Sequence, residues 1–302
     1  MIRNAFLMLS RQGWLRHWVE TSSLSGRVTK RFVAGRTLEE ELGVFQRLEA
    51  ERIDATLDFL GENVTSMEEA QRSRDAYLHA FDEIAARGLK ATASVKVTQL
   101  GLDLSEEACL ENASRLVERA AAMGSRVEFD MESSEYVDRT LRIVTALHDR
   151  YASVRAVIQA YLYRSEDDIA ELSRRKVPVR LCKGAYQEPG TVAYPRKADV
   201  DANYVRLMKQ LLDKGTYPAI ASHDDDMVGE TVRYVRRRGF AADHFEFQML
   251  YGIRRDLQRR LVRDGFRLRL YVPYGDAWYP YFMRRLAERP ANVLFLARNL
   301  LR

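Results

Sequence analysis

Apolar residues along this chain switch between two periods in a regular alternation. Short runs rich in β-branched and aromatic residues, with apolar and polar positions alternating, give way to longer stretches with apolar residues at i, i+3 and i+4. Eight short runs stand out: 54–60, 93–99, 126–132, 155–161, 177–184, 217–223, 244–250 and 267–273. The stretches between them read as helices; Tyr204, Leu207, Met208, Leu211 and Leu212 form one such apolar stripe. Strands alternating with helices predict parallel βαβ units, and eight units predict a sheet closed into a single (β/α)8 barrel.

Side-chain parity adds detail, because successive strand residues point to opposite faces. Val95 and Val97 oppose Ser94, Lys96 and Thr98, while Val127, Phe129 and Met131 oppose Glu128, Asp130 and Glu132. Val179 and Leu181 likewise oppose Arg180 and Cys182, and Leu268, Leu270 and Val272 oppose Arg269 and Tyr271. With the apolar face against the helices, the lumen receives Asp58, Lys96, Asp130, Gln159, Arg180, His223, Gln248 and Tyr271, one from each strand. A structural barrel fills its lumen with aliphatic side chains, because buried charge is costly unless paired. A polar lumen is therefore expected to be the floor of an active site at the C-terminal strand ends.

Composition narrows the class of protein. Cys109 and Cys182 are far apart and form no CxxC pair, which argues for a reducing compartment and against a disulfide framework or a metal site. No apolar stretch reaches the length of a membrane span, so a cytoplasmic protein is expected, with peripheral contact to the inner face of a membrane as an option. Net charge is +5 and is concentrated in two places. Between Met1 and Arg36 the only acid is Glu20, and a second run from Arg254 to Arg269 holds seven arginines. Solvated helix faces explain both runs most simply; the sharper reading is attraction to an anionic membrane surface. Nucleic-acid binding is not expected, since no recognised motif is present and acids interleave the arginines. Residues 1–45 are expected to form an N-terminal helical arm and 46–302 the catalytic barrel.

After the eighth strand the chain reads as a turn and a helix, with Asp276 at the N-cap and Pro280 in the first turn. Tyr281, Arg284, Arg285 and Glu288 then share one stripe. Two guanidinium groups beside a tyrosine suit a carboxylate or a phosphate, and Glu288 is placed to hold them. An exposed Glu–Arg pair on a surface helix is the common alternative. Position directly after Tyr271 would hang the stripe over the barrel mouth.

Several segments together resemble the proline dehydrogenase family. These are Ser94-Val95-Lys96, Phe129-Asp130-Met131-Glu132, Val179-Arg180-Leu181-Cys182-Lys183-Gly184-Ala185-Tyr186, Ser222-His223-Asp224, Glu246 to Gly252, and Tyr271 to Gly275, followed by the Tyr-x-x-Arg-Arg-x-x-Glu helix. The likeness runs from about Arg31 to the C-terminus in family order and is to the monofunctional bacterial type. It implies a distorted (β/α)8 barrel with FAD at the strand ends and the last helix over the mouth. It also implies oxidation of L-proline to 1-pyrroline-5-carboxylate, with electrons passed to a quinone. By resemblance Asp130 and Arg180 are active-site residues. Lys96, Arg284 and Arg285 bind the proline carboxylate, with Glu288 beside them, and Leu250, Tyr271 and Tyr281 wall the ring. Tyr281 matches a position whose bulk disfavours 4-hydroxyproline. Met131, Gln159, Arg180, Lys183, Gly184, Ala185, Tyr186, Ser222 and His223 match flavin contacts. Cys182 stands where the family usually has Val. No GxGxxG occurs, so the flavin is implied by the resemblance alone. The alternative reading of the same barrel is a Schiff-base, aldolase-type enzyme with Lys96 or Lys183 as nucleophile.

Overall fold

The computed structural model describes residues 31–61, 63–279 and 281. Eight parallel strands close into one barrel: β1 Asp54–Phe59, β2 Ala91–Val95, β3 Val127–Phe129, β4 Val154–Gln159, β5 Val179–Cys182, β6 Ala219–Ala221, β7 Glu246–Leu250 and β8 Leu268–Tyr274. All eight expected strands are present. Closure comes from β1 against β8, in register from Asp54 opposite Arg269 to Phe59 opposite Tyr274. Helix α1 (Leu38–Ala50) precedes β1, and α2 (Met67–Ala86), α3 (Glu106–Ala122), α4 (Val137–Tyr151), α5 (Ser165–Arg174), α6 (Lys197–Lys214), α7 (Asp225–Arg238) and α8 (Arg255–Arg263) join successive strands. Helix α1 runs through residue 45, the expected edge of the N-terminal arm.

Local chemistry sets the helix ends. Thr37 caps α1 in a reciprocal box with Glu40, and Ser66 and Ser105 each accept a backbone N–H at the start of α2 and α3. Helix α7 ends at Gly239 in the left-handed conformation, which lets the chain turn back toward β7. On α6, Tyr204, Leu207, Met208, Leu211 and Leu212 are fully buried against the sheet, as the spacing predicts. At roughly 1.5–3 kcal/mol for each large apolar side chain, that face alone holds the helix down.

The outer strand face is apolar and sealed: Leu57, Val95, Phe129, Ile158, Leu181, Ile220, Phe247 and Leu270 are all buried. The lumen is polar, which is proved by hydrogen bonds between strands that are not neighbours. Arg180 on β5 reaches Ser94 on β2, and Gln248 on β7 reaches Glu128 on β3. Such bonds can only cross the barrel interior.

Several expected strands are shorter than their sequence pattern. Strand β2 stops at Val95, and residues Thr98–Leu100 form a 3-10 turn ending at Gly101, whose φ of 96° reverses the chain. Lys96, Asp130 and His223 therefore sit just beyond β2, β3 and β6 rather than within them. Thr98, expected in the lumen, instead hydrogen-bonds Glu132 in the neighbouring loop. The alternation persists past the strand end because the loops themselves pack against one another.

Candidate active site

At the C-terminal ends of the strands lies a cavity of about 460 Å3. Its floor is built on Asp130, one residue past β3. Arg180 Nη2 donates to Asp130 Oδ1 at 2.5 Å, and Ser94 Oγ donates to the same oxygen at 2.8 Å. The Tyr271 hydroxyl donates to Asp130 Oδ2 at 2.8 Å, and Lys96 Nζ lies 3.6 Å from that oxygen. Lys96 is also 3.8 Å from Asp58 Oδ1. Two cations thus face two carboxylates, with Arg180 additionally 3.5 Å from Glu128 and its Cζ 5.6 Å from the centre of the Tyr271 ring.

Burial works against charge on Asp130, but Arg180 and Lys96, with the Tyr271 and Ser94 hydrogen bonds, outweigh it and hold the carboxyl below its usual range. Arg180 is likewise opposed by burial and raised overall by Asp130 and Glu128. Burial and the Asp130 charge push Tyr271 well up, so its phenol keeps the proton it donates. Burial pushes the Cys182 thiol up to about 11, which leaves it a neutral, weak nucleophile near pH 7. The buried Nε of Arg180 has no hydrogen-bond partner among the described residues, leaving one donor of the guanidinium available.

One wall of the cavity is backbone and loop. Gly184 adopts a φ of 111°, and a Cβ there would collide with the Tyr161 ring, so only glycine lets the chain pass so close. Next to it, Lys183 bridges Asp201 and Asp224, the latter at 2.8 Å, and Lys197 pairs with Asp201. Opposite, the Leu250 backbone N–H donates to His223 Nε2 at 2.8 Å, which places the imidazole hydrogen on Nδ1.

The cavity gathers Met131, Gln159, Lys183, Gly184, Ala185, Tyr186, Ser222 and His223 with Asp130, Arg180, Leu250 and Tyr271. Every one was expected at the site, from segments scattered over half the chain. Lys96 stands behind this lining, against Asp58 and Asp130. Tyr281 is buried. Arg284, Arg285 and Glu288, and the basic segment before Arg31, lie outside the described residues. Sequence reasoning missed Lys197, Asp201 and Asp224 as a linked group. Lys197 and Asp201 are spaced i, i+4 at the start of α6, a pattern indistinguishable from an ordinary surface pair until β6 brings Asp224 beside them.

The residues fit a flat, partly charged cofactor. Val157, Met131, Met249 and Leu250 supply apolar surface, while Arg180, Lys183 and Lys197 supply cations. A volume of this size lies in the range of small-molecule sites, roughly 300–1,000 Å3. No helix among the described residues is long and apolar enough to cross a membrane.

Comparison with known proteins points one way. A family model described as proline dehydrogenase matches residues 42–298. The chain is 40% identical over 304 residues to proline dehydrogenase 1 of Bacillus subtilis, covering 100% of both chains. It is 41% identical over 280 residues to proline dehydrogenase of Deinococcus radiodurans, covering 91% of this chain and 90% of that one. Its fold is similar to the crystal structure of proline utilization A from Bdellovibrio bacteriovorus inactivated by N-propargylglycine, with a TM-score of 0.81 and 28% identity. That match covers 87% of this chain and 33% of the larger protein.

Proposed function

The chain belongs to the proline dehydrogenase family, and from that premise we propose that the cavity at the strand ends holds FAD, which accepts the hydride leaving C5 of L-proline and gives 1-pyrroline-5-carboxylate. The enzyme is an oxidoreductase acting on the CH–NH group of proline. The observation that carries the finer reading is the Arg180–Asp130–Tyr271 cluster on the floor of a cavity with an apolar wall and a rim of paired lysines and aspartates.

Each residue has a task in this reading. Lys183, Ser222, His223 and the tight turn at Gly184 would hold the cofactor, with Met131, Gln159, Ala185 and Tyr186 along its length. Arg180 offers positive charge where the acceptor gains electron density. Lys96, with Arg284 and Arg285 from the segment after β8, would anchor the substrate carboxylate, and Glu288 would hold those arginines in place. Anchoring the carboxylate fixes which C–H of the ring faces the acceptor, so most of the rate comes from positioning. Leu250, Tyr271 and Tyr281 would wall the ring and exclude water. Asp130 balances the cationic cluster, keeping Arg180 and Tyr271 in place. The secondary amine must lose its proton before C5 gives up the hydride, and the product iminium carries the positive charge. Electrons would pass on to a quinone, and the basic segment before Arg36 would give transient contact with a membrane surface.

An aldolase-type reading finds no support: Lys183 is bridged to two carboxylates and Lys96 lies between two more. The test of the proposal is the visible spectrum of the purified protein. A flavin spectrum that bleaches on anaerobic addition of L-proline is expected; colourless protein that oxidises proline overturns the cofactor assignment. Arg284→Ala should raise KM for proline about 10- to 150-fold while the bound chromophore stays, as expected for losing one charge-assisted contact of about 1.5–3 kcal/mol. An unchanged KM would refute the carboxylate anchor. Vesicle binding indifferent to removal of residues 1–20 would remove the membrane contact of the N-terminal segment.

A further inference from the structure

None of the arginines from Arg254 to Arg269 lines the cavity above. Arg269 belongs to the lumen, bonded to Glu246, and those at the start of and along α8 divide by helix face. Arg254 pairs with Asp225 and Asp256, and Arg260 pairs with Asp225, on the side of α8 that meets α7. Arg255 and Arg259, spaced i, i+4 on α8, turn toward α1 instead. There they line a cavity of about 140 Å3 together with Arg47 and Glu51 of the last turn of α1. None of these four charges is in an ion pair among the described residues.

The surroundings keep the cavity open and positive. Its back is apolar, with Val44, Leu48, Ile53 and Leu270 behind the arginines. Gly252, at φ 76°, forms part of the wall, and a Cβ there would run into the Arg31 carbonyl. Arg31 Nε donates to the Gly252 carbonyl at 3.3 Å, which brings a further guanidinium to the same corner. Burial, and then the nearby charge of Arg255, lower the Arg31 guanidinium from its usual value, as like charges crowd at this corner. Such crowding costs stability unless an anion joins it. The space is on the order of that which accepts one benzene-sized group, enough for a phosphate.

We infer that the cleft between α1 and α8 is a binding site for a phosphate group, gripped by Arg255, Arg259 and Arg47. Arginine matches phosphate oxygens with a fixed fork of donors, and three guanidiniums against one carboxylate leave positive charge for an anion with several oxygens. Free inorganic phosphate and the phosphodiester of an anionic lipid headgroup share this chemistry.

The experiment uses the full-length protein, an Arg255→Glu/Arg259→Glu variant, and an Arg72→Glu/Arg115→Glu control of equal charge change on α2 and α3. Thermal stability is measured against inorganic phosphate at constant ionic strength set with chloride. In parallel the proteins are sedimented with vesicles of phosphatidylcholine, alone and mixed with phosphatidylglycerol. Saturable stabilisation by phosphate is expected in the parent and control, weakened about tenfold or more in the site variant, which loses charge-assisted contacts. Retention on phosphatidylglycerol vesicles that is lost only in the site variant identifies a lipid headgroup as the source; phosphate stabilisation without vesicle binding identifies the free anion. No stabilisation and no vesicle binding, or equal loss in both variants, overturns the site. Proline oxidation is measured alongside, and because neither arginine touches the catalytic cavity its persistence separates failure of this inference from failure of the assigned activity.

Discussion

The barrel lumen contains two charged layers of nearly the same composition that behave as opposites. In the lower layer, Arg155 and Arg269 face Glu128 and Glu246; in the upper, Arg180 and Lys96 face Asp130 and Asp58. Below, Arg155 is wholly buried, and its Nη1 donates to Glu128 at 2.9 Å and to Glu246 at 2.5 Å. Arg269 donates to Glu246, Ala55 and Asp54, and Gln248 donates to both glutamates. Tyr217 closes the base, donating to Glu246 while Arg155, Arg126 and Arg267 surround its ring at 5.4, 5.7 and 5.9 Å. Above, one side of the cluster is cavity, and Lys96 holds its carboxylates only at 3.6 and 3.8 Å. Glu128 joins the layers, touching Arg155 below and Arg180 above. Charge type does not distinguish plug from site. Access from the cavity does.

That contrast can be broken most severely from below. Arg155→Ala removes the main partner of buried Glu128 and one of the two arginines on buried Glu246, and should cost on the order of 3–5 kcal/mol of stability, read by chemical denaturation. A variant that unfolds at the parent's denaturant concentration would show that the lower layer is not held by its pairs. Arg180→Ala tests the upper layer. It should reduce kcat/KM for proline on the order of 100-fold, as for loss of one preorganised electrostatic donor, with a smaller drop in stability than Arg155→Ala. Equal stability losses from the two substitutions would erase the distinction.

Acid should weaken both layers in the same direction. Glu246 is opposed by burial but held low overall by Arg269 and Arg155, and Asp130 is held low by Arg180 and Lys96. A carboxyl with a depressed folded value contributes stability that is complete above its unfolded pKa of about 4 and is lost as pH falls through the folded value. The melting temperature is therefore expected to stay independent of these groups from pH 7 down to about 5 and to fall below about 4. A loss centred above pH 5 would place the responsible group elsewhere. The mildest change is Cys182→Val, a replacement of similar volume at the strand end beside Arg180. Steady-state turnover should stay within about twofold, because such a swap usually costs under 1.5 kcal/mol and the protonated thiol has no charge to lose.

Much of this organisation is written locally. The apolar stripe of α6 and the period-two runs of all eight strands predict the barrel correctly, because each element buries one face and its residues carry that face in their spacing. Strand ends are less legible, since the alternation of Lys96 and Thr98 continues into a loop that only Gly101 and the contact with Glu132 turn aside. The sequence pattern placed Glu128 and Arg269 on the polar face but could not tell that they join Arg155 and Glu246 in a sealed layer. Nor could it separate Lys197 and Asp201 from an ordinary helix pair.

Sequence by itself determined the strand–helix alternation and the polar lumen, since each follows from residue type and spacing. Tertiary structure alone decided which lumen charges are spent on one another and which face a cavity. It also decided which arginines beside α8 pair with acids and which turn toward α1. Pairing depends on register around a closed sheet and on helices far apart in the chain, and no local pattern records those distances.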